Sequence, residues 1–195
     1  MQPFREVHPK RTCIEKHENY RFYKSILRTD FNKHCGYCDD WDFVCGGARG
    51  FHIDHFRPKK KFEHLENDYN NLVYACPYCN GAKSDDWPSN AEQPIADDKG
   101  YVDPCDNGFT SLFNRFDNGR IFPKSKIGSY MFKQLKLGLR RHQLAWMYER
   151  LGNLLQEVTN ELEKFNEKIP EELSKNHIKL TSEYLRYKNL FQEIL

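Results

Sequence analysis

The sequence predicts an α+β fold, in which a small strand-containing unit is stabilised by metal-binding cysteines and helices lie on either side of it. The main observation is two CxxC pairs, Cys35/Cys38 and Cys76/Cys79. Two short runs of strand-forming residues lie between and beside these pairs, and from Ser129 onward apolar residues recur at helical spacing. Strands grouped in one unit with helices outside it are typical of the α+β class.

The composition is that of a folded, soluble protein. Charged residues make up 30% and aromatic residues 14% of the 195, which indicates a surface and a core of ordinary proportions. The sequence lacks the apolar run of about 20 residues that a membrane helix requires, and its N-terminus lacks the apolar stretch of a secretory signal. An odd number of cysteines without an export signal fits a reducing compartment, so we expect a cytoplasmic protein with no membrane partner. The expected parts are an N-terminal helical segment (1–34), a core (35–110) and a C-terminal helical region (111–195).

The charges are unevenly distributed along the chain. Residues 62–109 contain ten acidic and two basic side chains, whereas residues 110–146 contain eight Lys or Arg and one acid. A basic block of this kind is the best candidate in the sequence for contact with nucleic-acid phosphates.

The first predicted element is a helix over residues 12–31, with Thr12 as its N-cap. Two short strands are predicted next, over residues 51–55 and 71–75, because their residues are β-branched or aromatic in part. A short helix over residues 77–85 should follow directly, since proline suits the first turn of a helix. Residues 87–106 are rich in Pro, Gly, Asp and Asn and predict a surface loop.

Residues 129–195 predict long helices. One apolar stripe runs from Leu144 to Ile169 and a second from Leu173 to Leu195, with Pro170 between them. Two amphipathic helices joined by a short turn form an αα-hairpin. Its apolar stripes either pack on the core or dock a second protein.

The start of the helical region has a basic side. Its apolar residues fall on one helical face, and Lys133, Lys136 and Arg140 line the adjacent one. This face is a candidate for contacting backbone phosphates. A face that only confers solubility is the alternative, since helix exteriors are often rich in lysine.

The four paired cysteines predict a structural zinc site. Each CxxC supplies two sulfurs from one tight turn, and four thiolates satisfy a tetrahedral zinc ion at Zn–S distances of about 2.3 Å. A redox-active pair is the alternative, but it would require a βαβ setting that this stretch lacks. Because residues 39–75 separate the pairs, the zinc would close the base of a sizeable insertion.

Residues 35–86 resemble the HNH (His-Me finger) endonucleases, which implies a ββα-metal nuclease core of two strands and a helix. The resemblance covers well under half of the chain, but its motifs are ordered and mutually spaced. The matching stretches are Cys35-Gly-Tyr-Cys38, Ile53-Asp54-His55-Phe56-Arg57-Pro58, Asn71-Leu72-Val73, Cys76-Pro-Tyr-Cys79-Asn80 and Lys83-Ser84-Asp85.

The resemblance implies a role for each matching residue. His55 would be the general base that deprotonates the attacking water, and Asp54 would be a ligand of the catalytic metal. Asn71 would brace the loop and orient the base. Asn80 stands where many members have a final His, the second protein ligand of that metal, so the chain resembles an HNN variant. An amide oxygen suits Mg²⁺ or Mn²⁺, whereas an imidazole admits transition metals more readily.

Several lysines lie close to these motifs in the sequence. Lys59, Lys60 and Lys83 are candidates for holding DNA phosphates. The run at residues 59–61 has a simpler interpretation as a solvated loop. An isolated Asp-His pair is more often a turn cap beside a packed histidine, but the zinc frame and the register of Asn80 favour the catalytic interpretation.

The layout of the whole chain also resembles the small HNH proteins that are paired with an ATPase in prokaryotic antiphage systems of the Septu and retron type. The shared pattern includes the downstream Asp103-Pro104-Cys105 and a helical tail. It implies an ATPase subunit as partner. The long apolar stripes of the C-terminal helices make an ATPase or a second copy the candidate occupant of the hairpin, and DNA is the expected substrate. The alternative is a zinc-stabilised DNA-binding or adaptor module without catalysis, which would have no reason to carry Asp54, His55 and Asn80.

Overall fold

The computed structural model describes residues 2–89, 92–165 and 169–194. Helices and short strands alternate irregularly along these ranges. The helices are α1 (Lys24–Asp30), α2 (Pro77–Lys83), α3 (Lys126–Gln134), α4 (Arg140–Leu162) and α5 (Glu171–Gln192). The strands are β1 (His52–His55), β2 (Leu72–Ala75), β3 (Ile95–Ala96), β4 (Lys99–Gly100), β5 (Phe113–Arg115) and β6 (Ile121–Pro123).

Strands β1 and β2 form an antiparallel pair, and α2 follows β2 directly. The register places His52 opposite Ala75 and His55 opposite Leu72. Cys76 precedes α2 and its sulfur accepts a hydrogen bond from the Cys79 amide at 3.4 Å, so the second CxxC turn is also the N-terminus of the helix. The two strands and the short helix therefore occur where the sequence predicts them, within two residues at each end.

One cluster of buried residues joins the N-terminal segment, β1, β2, α2 and α3. All four paired cysteines belong to it, together with many phenylalanine and tyrosine side chains. A smaller cluster consists of Val44, Leu144, Ala145 and Phe191 and packs the ends of α4 and α5 against the loop after the first CxxC pair. None of the described helices is long and apolar enough to cross a membrane.

The predicted helix over residues 12–31 is wrong in its first half. Helical structure begins with a 3₁₀ turn at Tyr20–Tyr23 and continues as α1. Thr12 does not cap a helix, because its amide and hydroxyl donate to the Asp30 carboxylate at 2.6 and 2.8 Å. The segment therefore folds back on the end of α1, and this tertiary contact replaces local helix formation.

The single basic helix expected after Ser129 is interrupted. Helix α3 ends at Gln134 and α4 begins at Arg140, with Lys136 between them at a φ of +54°. Leu135 and Leu137 are both buried. Residues two apart lie on opposite sides of a helix, so the chain leaves the helical path to bury both leucines.

The structure also contains strands that the sequence did not predict. Strands β5 and β6 form a hairpin whose turn includes Gly119 at a φ of +84°. Strands β3 and β4 form a smaller hairpin within the stretch expected to be a loop. Each strand is two or three residues long, which is too short to give a recognisable alternation of apolar and polar residues.

Helices α4 and α5 form the expected αα-hairpin, but α4 ends at Leu162, well before Pro170. Phe165 and Ile169, expected on the first stripe, lie outside the helices and are exposed. Leu195, the last position of the second stripe, lies outside the described residues. Along the described part of α4, no residue after Leu151 is fully buried, so most of the hairpin extends away from the core.

Candidate metal-dependent active site

The four paired cysteines converge on one point. Their sulfur atoms all lie within 4.8 Å of one another and the four side chains are buried. The Cys38 and Cys76 sulfurs are 3.7 Å apart, which is too far for a disulfide bond. A tetrahedral zinc site has sulfur–sulfur edges of about 3.8 Å, so the cluster fits a zinc ion.

Burial of this cluster disfavours an isolated thiolate. Burial raises the pKa of the Cys38 and Cys79 thiols well above the ordinary value. A bound zinc ion removes this penalty, because it stabilises the thiolates that burial alone would disfavour. The cluster is thus chemically suited to a structural metal.

A second polar network connects the first CxxC turn to α4. The Asp40 carboxylate accepts hydrogen bonds from Arg141 and from Nδ1 of His142, both at 2.7 Å. His142 is fully buried, and its ring and the Asp40 carboxylate lie within 4.8 Å of the Cys38 sulfur. Helix α4 is therefore anchored beside the cysteine cluster by a buried ion pair.

Asp54 lies on β1 and is almost fully buried at 5% exposure. Its Oδ2 accepts a hydrogen bond from the Tyr37 hydroxyl at 2.5 Å and forms an ion pair with the Lys83 ammonium at 3.0 Å. No described residue donates a hydrogen bond to Oδ1. This oxygen is also not completely buried. Tyr37 and Lys83 thus fix the carboxylate by one oxygen and leave the other available.

Lys83 does not occupy the position expected of a DNA-contacting residue. Its side chain is fully buried, and its ammonium also donates to the backbone carbonyl of His55 at 2.8 Å. A buried lysine is expected only where its charge is paired, and Asp54 provides that pairing. The observed contacts of Lys83 therefore lie inside the protein, between α2 and β1.

His55 ends β1 and faces the N-terminal segment and the long β1–β2 loop. Its Nε2 lies 2.8 Å from the Glu66 carbonyl oxygen, and the Tyr20 ring contacts the imidazole edge-on at 4.7 Å. A carbonyl oxygen only accepts hydrogen bonds, so Nε2 carries the proton and Nδ1 of the neutral ring keeps its lone pair. Burial lowers the pKa of His55 below its ordinary value of 6.5.

Asn71 links the two ends of the β1–β2 loop. Its amide oxygen accepts from the Arg57 amide at 2.8 Å, and its amide nitrogen donates to the Arg57 and Leu65 carbonyls at 3.0 and 3.3 Å. Leu65 immediately precedes Glu66, whose carbonyl accepts the hydrogen bond from His55. Asn71 therefore holds in place the segment that orients the imidazole.

Asn80 lies on α2 and pairs with a histidine of β1. Its Nδ2 donates to Nδ1 of His52 at 3.0 Å, at the exposed start of β1. No hydrogen bond from a described residue reaches its amide oxygen. Since His52 and Asp54 are two apart on a strand, they share a face, and that face is the one on which α2 packs.

Asp54, Asn80 and His55 each bond to a different partner in the structure. Asp54 is bonded to Lys83, Asn80 to His52, and His55 to the Glu66 carbonyl. Among the described residues, no hydrogen bond connects Asp54, His55 and Asn80 to one another. The three are held together through the β1–β2–α2 framework, and their free acceptor atoms are Oδ1 of Asp54, Nδ1 of His55 and Oδ1 of Asn80.

The exposed lysines near β1 are paired with acids. Lys59 forms an ion pair with Glu66 at 2.9 Å, and Lys60 pairs with Asp85 at 3.1 Å. Such surface pairs contribute little stability. Further along the chain, Lys133, Lys136 and Arg140 are exposed on α3, on the α3–α4 link and at the start of α4.

Residues 35–86 match the family model of the HNH endonucleases. The matched segment contains both CxxC pairs, β1, β2 and α2, and it supports a nuclease domain of the metal-dependent HNH type in this part of the chain. Residues outside this segment are not part of the match. No curated protein matches the chain.

Several residues that shape the HNH segment were not predicted from the sequence. Tyr37 fills a gap between two cysteines, Tyr20 comes from a segment expected to be helical, and Glu66 takes part through its backbone. Of the residues near the site that were missed, only His52 could have been predicted from a sequence pattern. Its two-residue spacing from Asp54 places both side chains on one face of a strand. The others are determined by tertiary packing, which local patterns do not encode.

Proposed function

We propose that this protein is a metal-dependent endonuclease that hydrolyses DNA phosphodiester bonds with residues 35–86 as its catalytic unit. The observation that carries the proposal is the state of His55, whose Nε2 hydrogen is committed to the Glu66 carbonyl while Nδ1 remains an acceptor. A neutral histidine with one nitrogen fixed and the other free is suited to accept the proton of an attacking water. It lies in a segment that matches the HNH endonucleases.

In this proposal the lowered pKa of His55 serves the reaction. A base must be unprotonated to act, and burial keeps the imidazole neutral at physiological pH. The Asn71 contacts hold the Glu66 carbonyl in place, so the ring cannot rotate to present the protonated nitrogen. Asn71 acts as a positioning residue for the base.

Asp54 and Asn80 are the proposed ligands of one Mg²⁺ or Mn²⁺ ion. Both present an oxygen atom without a described hydrogen-bond donor, and hard divalent ions prefer oxygen ligands. When bound, such an ion offsets negative charge on the scissile phosphate and the leaving oxygen. Lys83 and Tyr37 keep the Asp54 carboxylate oriented. His52 holds the nitrogen of the Asn80 amide, so the amide oxygen would be the atom offered to an ion.

The proposed DNA surface consists of Lys59 and Lys60 beside the catalytic unit and of Lys133, Lys136 and Arg140 around the α3–α4 link. These side chains are exposed and lie in the basic parts of the chain. Exposed cations bind backbone phosphates without regard to sequence. Lys83 is left out of this surface because it is buried in an ion pair with Asp54.

We further propose that the protein acts in the cytoplasm as the nuclease component of an antiphage complex, with an ATPase subunit or a second copy bound to the αα-hairpin. The support is the resemblance in motif order and the incomplete burial of the hairpin, where Ile178 and Leu185 remain 66% and 47% exposed. A size measurement on the purified protein, alone and with the ATPase, tests this. Truncation after Ile169 should abolish complex formation and leave zinc content unchanged. A monomeric protein whose truncated form keeps partner capture and activity would contradict the proposal.

Incubation of the purified protein with supercoiled plasmid, with and without Mg²⁺ or Mn²⁺, tests the proposed activity. Metal-dependent nicking or linearisation is the expected result, and a chelator should stop it. If a zinc-loaded preparation binds DNA but cuts no nucleic acid with either metal and with its partner present, the proposal fails. The protein would then be a zinc-stabilised DNA-binding or adaptor module.

A further inference from the structure

We propose that Arg5 and Arg115 are the counter-cations of a zinc tetrathiolate at the four paired cysteines and that their charges set its zinc affinity. The inference rests on the proposed zinc site and goes beyond the proposed nuclease activity. It assigns a function to two residues that lie outside the HNH segment and far from the cysteines in sequence.

Both arginines bond to the backbone of the first CxxC turn. Arg5 Nη2 donates to the Gly36 carbonyl at 2.6 Å, and Arg115 Nη2 donates to the Cys38 carbonyl at 2.9 Å. Arg5 is 6% exposed and Arg115 is not exposed at all. Two guanidinium groups, one from the N-terminal segment and one from β5, thus lie in the interior against the same turn.

Neither guanidinium has a carboxylate partner among the described residues. The arginine ion pairs of the described chain are formed by other arginines: Arg11, Arg28, Arg141 and Arg186. The remaining hydrogen bonds of Arg115 go to the Phe4 and Gly119 carbonyls, and that of Arg5 goes to the Pro104 carbonyl. An unpaired charge in the interior is strongly unfavourable, so a source of negative charge is expected nearby.

Asp39 is the carboxylate that acts most strongly on both arginines, but it does not balance them. It forms no ion pair with either guanidinium, since the arginine ion pairs of the described residues involve other carboxylates. One carboxylate also leaves one of two positive charges unmatched. Arg141, which lies at the same turn, is already balanced by Asp40.

A zinc tetrathiolate supplies the missing charge. Four thiolates around one Zn²⁺ carry a net charge of −2, which more than offsets the one positive charge that Asp39 leaves unmatched. Arg5 and Arg115 both bond to carbonyls of the turn that carries Cys35 and Cys38, so they lie beside the thiolates that a zinc ion would hold. Because coupling between two equilibria is reciprocal, zinc stabilises the buried arginines and the arginines strengthen zinc binding.

A purely structural role is the alternative, since the Arg115 hydrogen bonds also join β5, the N-terminal segment and the CxxC turn. The two roles differ in how they depend on metal. Lost hydrogen bonds would destabilise the zinc-loaded and zinc-free proteins alike. Lost counter-charge would weaken zinc binding itself and destabilise the loaded protein more than the zinc-free one.

The test uses Arg5→Met and Arg115→Met in the full chain, with Arg11→Met as the matched control. Arg11 is also largely buried, with its side chain 9% exposed, and donates to the Leu72 carbonyl at 2.9 Å, but Asp103 balances its charge at 3.0 Å. Zinc affinity is measured by competition with a chromophoric chelator, and melting temperatures are measured with and without zinc. The sulfur-to-metal absorption of the Co²⁺-substituted protein reports on the thiolates directly.

Arg5→Met and Arg115→Met should each lower zinc affinity by about 10–100-fold and shift the Co²⁺ absorption, as expected when an outer contact of a metal site is removed. Arg11→Met should lower the melting temperature and leave zinc affinity within about twofold of wild type. A folded Arg115→Met protein with wild-type zinc affinity and an unshifted Co²⁺ spectrum would overturn the proposal.

Arg115→Lys decides the question if Arg115→Met does not fold. Lysine keeps the charge but cannot reproduce the three hydrogen bonds of the guanidinium. Zinc affinity near that of wild type supports a counter-charge, whereas a loss of about 10–100-fold contradicts it. If the wild-type protein is folded and binds no zinc, both the proposed zinc site and this inference are wrong, whatever the nuclease activity of the protein.

Discussion

The imidazole of His55 donates its Nε2 hydrogen to the backbone carbonyl oxygen of Glu66 at 2.8 Å. This bond joins the end of β1 to the loop that Asn71 braces, and it determines which ring nitrogen is basic. The Tyr20 ring packs against the imidazole in an edge-on contact, with 4.7 Å between the ring centroids. The segment before β1 and the loop after it therefore determine how the proposed base is oriented. They also determine its protonation state and its pKa.

His55→Ala should reduce DNA cleavage by about 10²–10⁴-fold, because it removes the proton acceptor and leaves both proposed metal sites in place. DNA affinity should be nearly unchanged. The measurement is single-turnover cleavage of a labelled duplex, with binding followed by anisotropy. His64→Ala is the control, since that histidine lies on the same loop and is exposed beside Glu92. Cleavage at the wild-type rate by His55→Ala would place the base elsewhere.

The acidic limb of the pH–rate profile should have an apparent pKa below 6.5, the ordinary value for histidine. Burial disfavours the charged imidazolium, so His55 stays neutral and active at a lower pH than an exposed histidine would. The measurement is kcat/KM from pH 4.5 to 8.5 at saturating metal. Tyr20→Ala uncovers the ring and should move the limb toward 6.5. A wild-type limb at or above 6.5 would contradict this assignment.

The sequence predicted the parts of the site that depend on short-range spacing. The two CxxC pairs, the strand ending in His55 and the helix beginning at Pro77 follow from local residue patterns, and the structure has the strands and the helix close to the predicted bounds. The family match covers the same segment. These features are local because each requires only a turn, a strand or one helix end.

The features that the sequence did not predict depend on contacts between distant segments. Lysine is rarely buried, so its residue type alone placed Lys83 on the surface, whereas in the structure it pairs with Asp54 inside the protein. The helix break after Gln134 arises because Leu135 and Leu137 are both buried. A periodicity argument assumes one continuous helix and so places these two leucines on different faces.

Cys76→Ser should abolish tight zinc binding and lower the free energy of unfolding by about 4 kcal/mol or more, because a structural zinc contributes directly to folding. Elemental analysis and chemical denaturation measure the two effects. Cys13→Ser is the control, since Cys13 is half-exposed and lies outside the cluster. A well-folded wild-type protein that contains no zinc would contradict the prediction, as would a zinc content unchanged in Cys76→Ser.

Replacing Lys133, Lys136 and Arg140 together with Gln should weaken DNA binding equally for unrelated sequences. Each lost phosphate contact reduces the slope of log K against log salt by about 0.9, so the slope should fall by about 3 at most. Binding titrations at several salt concentrations give the slope. Gln at Lys164, Lys175 and Lys179, on or between the hairpin helices, provides a charge-matched control. An unchanged slope in the first variant would show that this face only confers solubility.

Asn80→His tests the proposed metal site directly, because it converts an amide ligand into an imidazole. In the present structure His52 holds the amide nitrogen of Asn80 and leaves its oxygen free. An oxygen ligand suits Mg²⁺, whereas imidazole binds Co²⁺ and Ni²⁺ more strongly. The variant should therefore retain cleavage but lose about tenfold or more of its Mg²⁺-supported kcat/KM relative to its activity with Co²⁺ or Ni²⁺.

The matching variant His52→Ala should reduce Mg²⁺-supported cleavage to a lesser degree, since it frees the amide to rotate without removing the oxygen ligand. Metal titrations of both variants against cleavage rate, with melting temperature as a measure of folding, separate ligand loss from unfolding. If Asn80→His keeps the wild-type order of metal preference, Asn80 does not ligate the ion. Asp54 would then be the one remaining proposed protein ligand of the ion. In that case Asp54→Ala should abolish metal-dependent cleavage.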